Sequence, residues 1–113
     1  MKLVENITNQ ADQIIDFVLA DGSIINMELR FMPAIQKWTL NLTWGTKIIN
    51  GIVLCLHPNI LRSWRKILPF GIAINSIDGV EPYDIEDFNS GRVSFYILDQ
   101  ADILIVENEV IDG

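Results

Sequence analysis

SIINMELRFMPAIQKWTLNLTW, residues 23–44, is the stretch that decides the fold. It contains two runs in which apolar and polar side chains alternate. The apolar members are Ile25, Met27, Leu29 and Phe31 in the first run and Trp38, Leu40, Leu42 and Trp44 in the second. A period of two is typical of a half-buried β-strand. Pro33 lies between the runs and cannot donate a ladder hydrogen bond, so the stretch predicts an antiparallel pair that forms one wall of the core.

Strand-like segments lie on both sides of this pair. They are residues 13–20, 46–56, 70–77 and 92–98. Asp21-Gly22 separates the first of them from the deciding stretch, and Asp-Gly favours a tight hairpin because both turn residues need a positive φ. Asn50-Gly51 indicates either a second hairpin or a bulge inside one strand. Residues 59–68 carry apolar side chains at helical spacing and predict one short helix at most.

These patterns predict an all-β protein, a small antiparallel β-barrel or sandwich of about six to eight strands with at most one short helix. The length of 113 residues and the 50% hydrophobic content suit a single compact domain. We expect residues 1–12 to form an N-terminal arm, residues 13–98 the β domain and residues 99–113 an acidic C-terminal tail. No segment approaches the ~20 apolar residues of a membrane span, so we expect no membrane partner.

The charge of the chain is acidic and unevenly distributed. The formal net charge is −7, and residues 80–113 carry nine acidic side chains and one basic side chain. Residues 1–79 carry six acidic and seven basic side chains. Nucleic-acid binding depends on clustered Lys and Arg that release counterions, so we expect no direct contact with nucleic acid. The acidic part predicts either a solvated surface or a surface that faces a partner.

Candidate catalytic groups are few. The chain has one histidine and one cysteine, and Cys55 and His57 lie on the same face of an extended strand. No third group is specified to orient them, so we interpret them as packing residues. Asp84, Glu86 and Asp87 lack the glycine and the ligand spacing of a calcium loop. We therefore expect no catalytic residue, no metal site and no cofactor.

The candidates for partner contact fall into two groups. One is a basic and aromatic cluster, Arg62, Trp64, Arg65 and Lys66. It predicts either a short amphipathic element with Trp64 in the core or a binding patch. The other is an apolar run between acidic flanks, Ile103, Leu104, Ile105 and Val106. This run predicts either a further strand of the same domain or a strand added to a neighbouring subunit, with the basic cluster as its counterpart.

The order of these features resembles the baseplate plug proteins of contractile-tailed bacteriophages, including cyanophage plugs. The resemblance covers roughly residues 14–98. It consists of a strand that passes through an Asp-Gly turn, a tryptophan-led strand, a glycine-containing segment before an apolar strand, a loop with Asp and Pro, and an aromatic strand. These parts correspond to residues 17–31, 37–42, 50–54, 77–88 and 92–98.

The resemblance implies a structural role in the virion and no enzyme activity. A plug of this family would lie at the tail axis in a homo-oligomeric ring, contact hub, spike and tail tube proteins, and help to close the channel before DNA ejection. It would be made in the host cytoplasm. The alternative is a small β-barrel that binds a ligand in a pocket lined by Trp38, Trp44 and Trp64. A third hypothesis is a hydrolase-like domain that uses Asp84 or Glu86.

Overall fold

The protein is built from two antiparallel β-sheets. The computed structural model describes residues 2–64 and 66–105. The strands are β1 (Lys2–Leu3), β2 (Asp12–Val18), β3 (Ile24–Met32), β4 (Lys37–Trp44), β5 (Lys47–Val53), β6 (Gly71–Ser76) and β7 (Val93–Leu98). One sheet has the order β2-β3-β4-β5 and the other the order β1-β7-β6, with every neighbouring pair antiparallel. The predicted all-β class is confirmed.

The deciding stretch forms the central pair of the larger sheet. Residues of β3 and β4 face one another from Ile25 and Trp44 at one end to Met32 and Lys37 at the other. The predicted apolar face is the buried one. Trp38 is fully buried against the core. A period of two puts alternate side chains on one side of a strand, and in β3 and β4 the apolar side is the one that faces the core, as the sequence predicted.

The core lies between the two sheets. The smaller sheet contributes five buried side chains, Ile72, Ile74, Val93, Phe95 and Ile97. They belong to the same hydrophobic cluster as Leu29, Trp38 and Leu40 of the larger sheet. Two inner faces that share one core form a β-sandwich.

The expectation that residues 1–12 form an arm outside the core is corrected by the structure. Lys2 and Leu3 pair with β7, and the Val4 N–H donates to the Phe95 carbonyl over 2.8 Å. Val4 and Ile7 are buried in the common core. A strand of two residues is too short to show a period of two, so β1 could not be recognised from the sequence and is defined only by its pairing with β7.

Asn50-Gly51 forms a bulge in one strand rather than a second hairpin. Leu40 faces Ile52 and Leu42 faces Ile49, so two residues of β5 oppose one residue of β4. The Asn41 side-chain oxygen accepts a hydrogen bond from the Gly51 N–H over 2.8 Å, and Gly51 has φ 75°. Glycine adopts this conformation without steric cost.

The segment after β5 covers the outer edge of β6. His57 exchanges backbone hydrogen bonds with Ile74, and the Ile60 N–H donates to the Ile72 carbonyl. The buried Asn59 side-chain oxygen accepts hydrogen bonds from the N–H groups of Leu61 and Ile72. Of the predicted helix at 59–68, the described residues retain one 3₁₀ turn, Arg62–Trp64.

Gly71→Ala should destabilise the fold by about 1–3 kcal/mol because the site is already filled. A Cβ at this position would lie 2.6 Å from Oδ1 and 2.9 Å from Nδ2 of Asn59. Urea denaturation measures the loss. The control is the double variant with Asn59→Ala, whose loss should be smaller than the sum of the two single losses, since removing the amide removes the clash. Full additivity would contradict the proposed contact.

Residues 100–105 are helical, where the sequence predicted a strand or an unpaired tail. Asp99 and Asp102 form a capping box, in which the Asp102 N–H donates to Asp99 Oδ1 over 2.8 Å and the Asp99 N–H donates to Asp102 Oδ2 over 3.2 Å. The helix places Ile103 against Ala73 and Leu98 on the outer face of the smaller sheet. Within residues 2–64 and 66–105, no helix has the length and apolar character needed to cross a bilayer.

Asp99→Ala should cost about 0.5–2 kcal/mol because it removes the acceptor that caps this helix. Thermal unfolding followed by circular dichroism measures the loss. Gln100→Ala is the matched control, since the exposed Gln100 lies in the same turn without a capping bond. Equal melting temperatures for the two variants would show that the capping box does not stabilise the helix.

Candidate partner-binding surfaces

The basic cluster is split by the fold. Arg62 and Lys66 are exposed, whereas Trp64 is half-buried and packs against the core. In the described part of the chain neither Arg62 nor Lys66 takes part in an ion pair. Arg65 lies outside the described residues. The cluster therefore has a structural aromatic member and at least two solvent-facing cations.

The apolar run near the C-terminus is also split. Ile103 is buried within its own chain, so the prediction that it contacts a partner is wrong for this residue. Leu104 and Ile105 are exposed and stay candidates for partner contact, and Val106 lies outside the described residues. Ile103 covers Leu98, so residues 99–105 contribute to the stability of the monomer, and their role is not confined to assembly.

The acidic loop between β6 and β7 is fastened by Arg92. The Arg92 guanidinium contacts both carboxylate oxygens of Asp87, at 2.9 Å from Nε and 2.8 Å from Nη2. It also lies 2.9 Å from the Asp78 carboxylate and donates to the Val80 and Glu81 carbonyls. One side chain thus binds four points of the loop, which holds the loop in a defined shape.

Asp87 is a buried anchor rather than a free acid. Its Oδ2 accepts hydrogen bonds from the N–H groups of Tyr83 and Asp84 over 2.6 and 2.8 Å. Burial raises the pKa of Asp87, but the hydrogen bonds from Arg92 and from these backbone groups outweigh it. The pKa of Asp87 therefore lies below its ordinary value, and the carboxylate stays charged at neutral pH.

The same contacts argue against calcium binding by this loop. Both oxygens of Asp87 are already engaged, and Glu86 accepts hydrogen bonds from the side chains of Asn9 and Asn89. Across residues 2–64 and 66–105, no three His, Cys, Asp or Glu side chains are grouped to hold a metal ion. Asp84 lies exposed beside the anchor, and its carbonyl accepts the Trp38 indole N–H over 3.1 Å.

Exposed apolar side chains also lie on the acidic loop. Ile77, Val80 and Tyr83 are all exposed, and the Arg92 guanidinium lies 4.7 Å from the centre of the Tyr83 ring. Apolar side chains surrounded by charged ones are typical of a protein interaction surface. We name residues 77–83 the acidic apolar rim.

Cys55 and His57 do not form a catalytic pair. Burial, followed by the negative charge of Glu81, raises the pKa of the Cys55 thiol. A raised pKa keeps the sulfur protonated and weakly nucleophilic. His57 Nδ1 accepts a hydrogen bond from the Asn59 N–H over 2.9 Å, so the ring is oriented by the backbone.

The three tryptophans have separate surroundings. Trp38 packs between Phe31 and Phe88, with ring centres 5.4 and 5.3 Å away. Trp44 lies against Phe70, and its indole N–H donates to the Ser23 hydroxyl over 3.1 Å. Trp64 belongs to the 3₁₀ turn. The hypothesis of a ligand pocket lined by all three tryptophans therefore finds no support in their positions.

A feature that sequence reasoning missed is the free edge of the larger sheet. Just before β2, the Phe31 N–H donates to the Ala11 carbonyl over 2.7 Å, so Ala11 and Phe31 form a hydrogen-bonded pair of the β2–β3 ladder. Because hydrogen-bonded pairs alternate along an antiparallel ladder, every second residue of β2 directs its N–H and C=O groups away from β3. These residues are Asp12, Ile14, Asp16 and Val18. In the described part of the chain, β3 is the sole partner of β2.

An open apolar groove of about 430 Å³ adjoins the end of this edge. Its lining includes Phe17, Val18, Leu19, Pro69, Phe70 and Ile97. The alternation in β2 indicated a strand, but no sequence pattern tells whether a strand lies at the edge of a sheet. Only the topology brings the edge and the groove together.

Comparison with known protein families finds a match that covers most of the chain. Residues 1–100 match the family described as "Cyanophage baseplate Pam3 plug gp18". The matched range includes β1 to β7 and ends in the first turn of the helix at 100–105. Among curated proteins we find no match to the chain.

Proposed function

This chain belongs to the cyanophage baseplate plug family, and on that premise we propose that it closes the channel of a contractile tail before DNA ejection. The family places it among the structural components of the phage baseplate. We place it at the tail axis, in a homo-oligomeric ring that contacts hub, spike and tail tube proteins. It would be made in the host cytoplasm and carried in the virion. Its task would be mechanical and would require no catalysis, no cofactor and no metal.

The observation that carries this proposal is the extent of the family match. It includes all seven described strands, so the whole β-sandwich corresponds to the family and not a fragment of it. The resemblance seen in the sequence was limited to residues 14–98, whereas the match also includes β1. Residues 101–113 lie outside it.

The charge of the chain supports a plug that does not hold DNA. The net charge is −7, and the loop that Arg92 fastens adds a dense set of carboxylates. Phosphate groups are repelled by such a surface, because neutralising them needs Lys and Arg. A body that closes a DNA channel must separate from the DNA when ejection begins, and a repulsive surface favours that separation.

The exposed apolar residues support contacts with other baseplate proteins. The acidic apolar rim at residues 77–83 combines Ile77, Val80 and Tyr83 with carboxylates, and Arg92 fixes its shape. A surface that is already ordered loses little conformational entropy on binding. Such a rim suits a permanent position in an assembly.

Deleting the gene from the phage that encodes the chain tests the proposal. The fraction of DNA-filled heads, counted by electron microscopy, should fall because the channel is left open. The complementing wild-type gene should restore it. The control is the exposed-site variant Thr46→Ala, which should complement like the wild type because Thr46 lies in the turn between β4 and β5, outside the rim and the groove. Deletion particles that keep complete tails and a wild-type fraction of filled heads would refute a closing role.

A further inference from the structure

We propose that β2 receives an extended strand from another baseplate protein, and that one face of this strand carries apolar side chains opposite Ile14 and Val18 and Lys or Arg opposite Asp12 and Asp16. The inference rests on the proposed function, because it names the surface through which the plug would join its assembly. Three observations meet at this place: a free strand edge, two exposed apolar side chains on its outer face and the adjoining groove.

Among the edges of the two described sheets, β2 is the one that is neither interrupted, covered nor short, and its protection is confined to the charges of Asp12 and Asp16. β5 is interrupted by the bulge at Asn50-Gly51, β6 is covered by the backbone of residues 57–60, and β1 is two residues long. β2 has seven residues and no proline, glycine or lysine. Long unprotected edges are rare in free proteins because they template pairing with other chains. An edge left open in this way is suited to binding a strand.

The outer face of β2 adds apolar surface to this edge. Ile14 is 68% exposed, and Val18 is exposed opposite Ile24, which is exposed as well. A strand added beside β2 would bury two apolar side chains, four residues apart on one face, against Ile14 and Val18. The groove lined by Phe17, Leu19 and Phe70 continues from the end of β2 and would take one further apolar side chain.

The charges along the edge indicate which charge the partner strand carries. Asp16 lies on the same outer face as Ile14, as does Asp12, which pairs with Arg30. The groove is lined by Asp21 and Asp99 together with one cation, Lys2. Carboxylates outnumber cations at this place, so Lys or Arg on the incoming strand would be favoured opposite them.

A second copy of β2 does not fit this edge. In an antiparallel self-pairing centred on Ile14, Asp12 faces the Asp16 of the other copy. In a self-pairing centred on Asp16, the two Asp16 side chains face each other. The register between these two places Asp16 opposite Ile14 and Asp12 opposite Val18. Like charges directly opposite are destabilising. These registers argue against a second β2 as the occupant, and the acidic edge favours a basic strand of another baseplate protein.

Ile14→Lys and Ile48→Lys form a matched pair of variants that tests the inference. Ile14 on β2 and Ile48 on β5 are 68% and 66% exposed, and both lie on edge strands of the same sheet. Each variant is expressed in the phage that lacks the chromosomal copy, and the chain is quantified in purified tails. Ile14→Lys should lower incorporation on the order of tenfold, because its charge repels a basic strand. Ile48→Lys should incorporate like the wild type.

Ile14→Glu tests the charge of the partner. It disrupts the apolar face as Ile14→Lys does but attracts Lys or Arg, so it should be incorporated better than Ile14→Lys. Equal incorporation of these two variants would overturn the basic character of the strand. Both purified variants should melt within about 4 °C of the wild type, since exposed sites tolerate substitution.

Hydrogen exchange gives an independent readout of the paired edge. The outward amides of Ile14, Asp16 and Val18 should exchange rapidly in the free chain and slowly in purified tails. Rapid exchange in tails that contain the chain, or normal incorporation of Ile14→Lys, would overturn the inference and leave the proposed function intact. Absence of the wild-type chain from tails would instead refute the proposed function and the inference with it.

Discussion

Trp38→Ala should reduce the free energy of unfolding by about 3–5 kcal/mol, the largest loss expected for a single substitution in this chain. Trp38 is fully buried, and its ring packs against Phe31 on one side and Phe88 on the other. The substitution removes these contacts and leaves a cavity that a packed core cannot close. Domains of this size are stable by about 5–15 kcal/mol, so the variant should lose a large share of its stability.

Urea denaturation followed by circular dichroism measures the loss. Trp64→Ala is the matched control, since Trp64 is only half-buried, and its loss should be clearly smaller. Trp38→Phe should retain most of the packing and lose about 1 kcal/mol for the hydrogen bond to the Asp84 carbonyl. An unchanged midpoint for Trp38→Ala would show that this face of β4 does not form the core.

Arg92→Ala should cost about 2–4 kcal/mol because it leaves the Asp87 carboxylate buried without its counter-ion. The Asp87 side chain is 5% exposed and that of Arg92 is 17% exposed. The partial exposure of Arg92 places the expected loss somewhat below that of a completely buried pair. Arg30→Ala is the matched control, because Arg30 and Asp12 form an exposed ion pair whose removal should change the stability little.

The pH dependence of this loss separates charge from packing. The folded state lowers the pKa of Asp87, so the stability from its ionised form is present above the unfolded pKa of about 3.9 and is lost as the pH falls through the folded pKa. The difference in stability between wild type and Arg92→Ala should therefore narrow below about pH 4, as Asp87 becomes protonated. A difference of equal size at pH 3 and pH 7 would assign the loss to packing alone.

The strands were predictable where one face is buried along their whole length. Met27, Leu29, Leu40 and Leu42 alternate with polar residues, and the structure buries all four. Asn50-Gly51 left two interpretations open, because the same residues favour a tight hairpin and a bulge. The choice depends on Asn41 of the neighbouring strand, whose side chain accepts the Gly51 N–H.

The ends of the chain were less predictable for physical reasons. β1 depends on β7, a pairing across almost the whole sequence, and its two residues form no pattern. Residues 103–106 are all apolar and three of them, Ile103, Ile105 and Val106, are β-branched, which favoured a strand. Asp99 and Asp102 three positions apart were the available sign of a helix start. The free edge of β2 could not be inferred from local residues, because it is a property of the sheet order.

A cryo-electron microscopy reconstruction of the intact tail tests the plug assignment most directly. If the chain is the plug, density for the seven-stranded β-sandwich should lie at the baseplate end of the tail, on its axis and across the channel. Particles from the deletion strain, reconstructed in the same way, should lack that density and show an open channel. Density for this fold along the tube or at the outer rim of the baseplate, with the axial channel closed by another protein, would contradict the account.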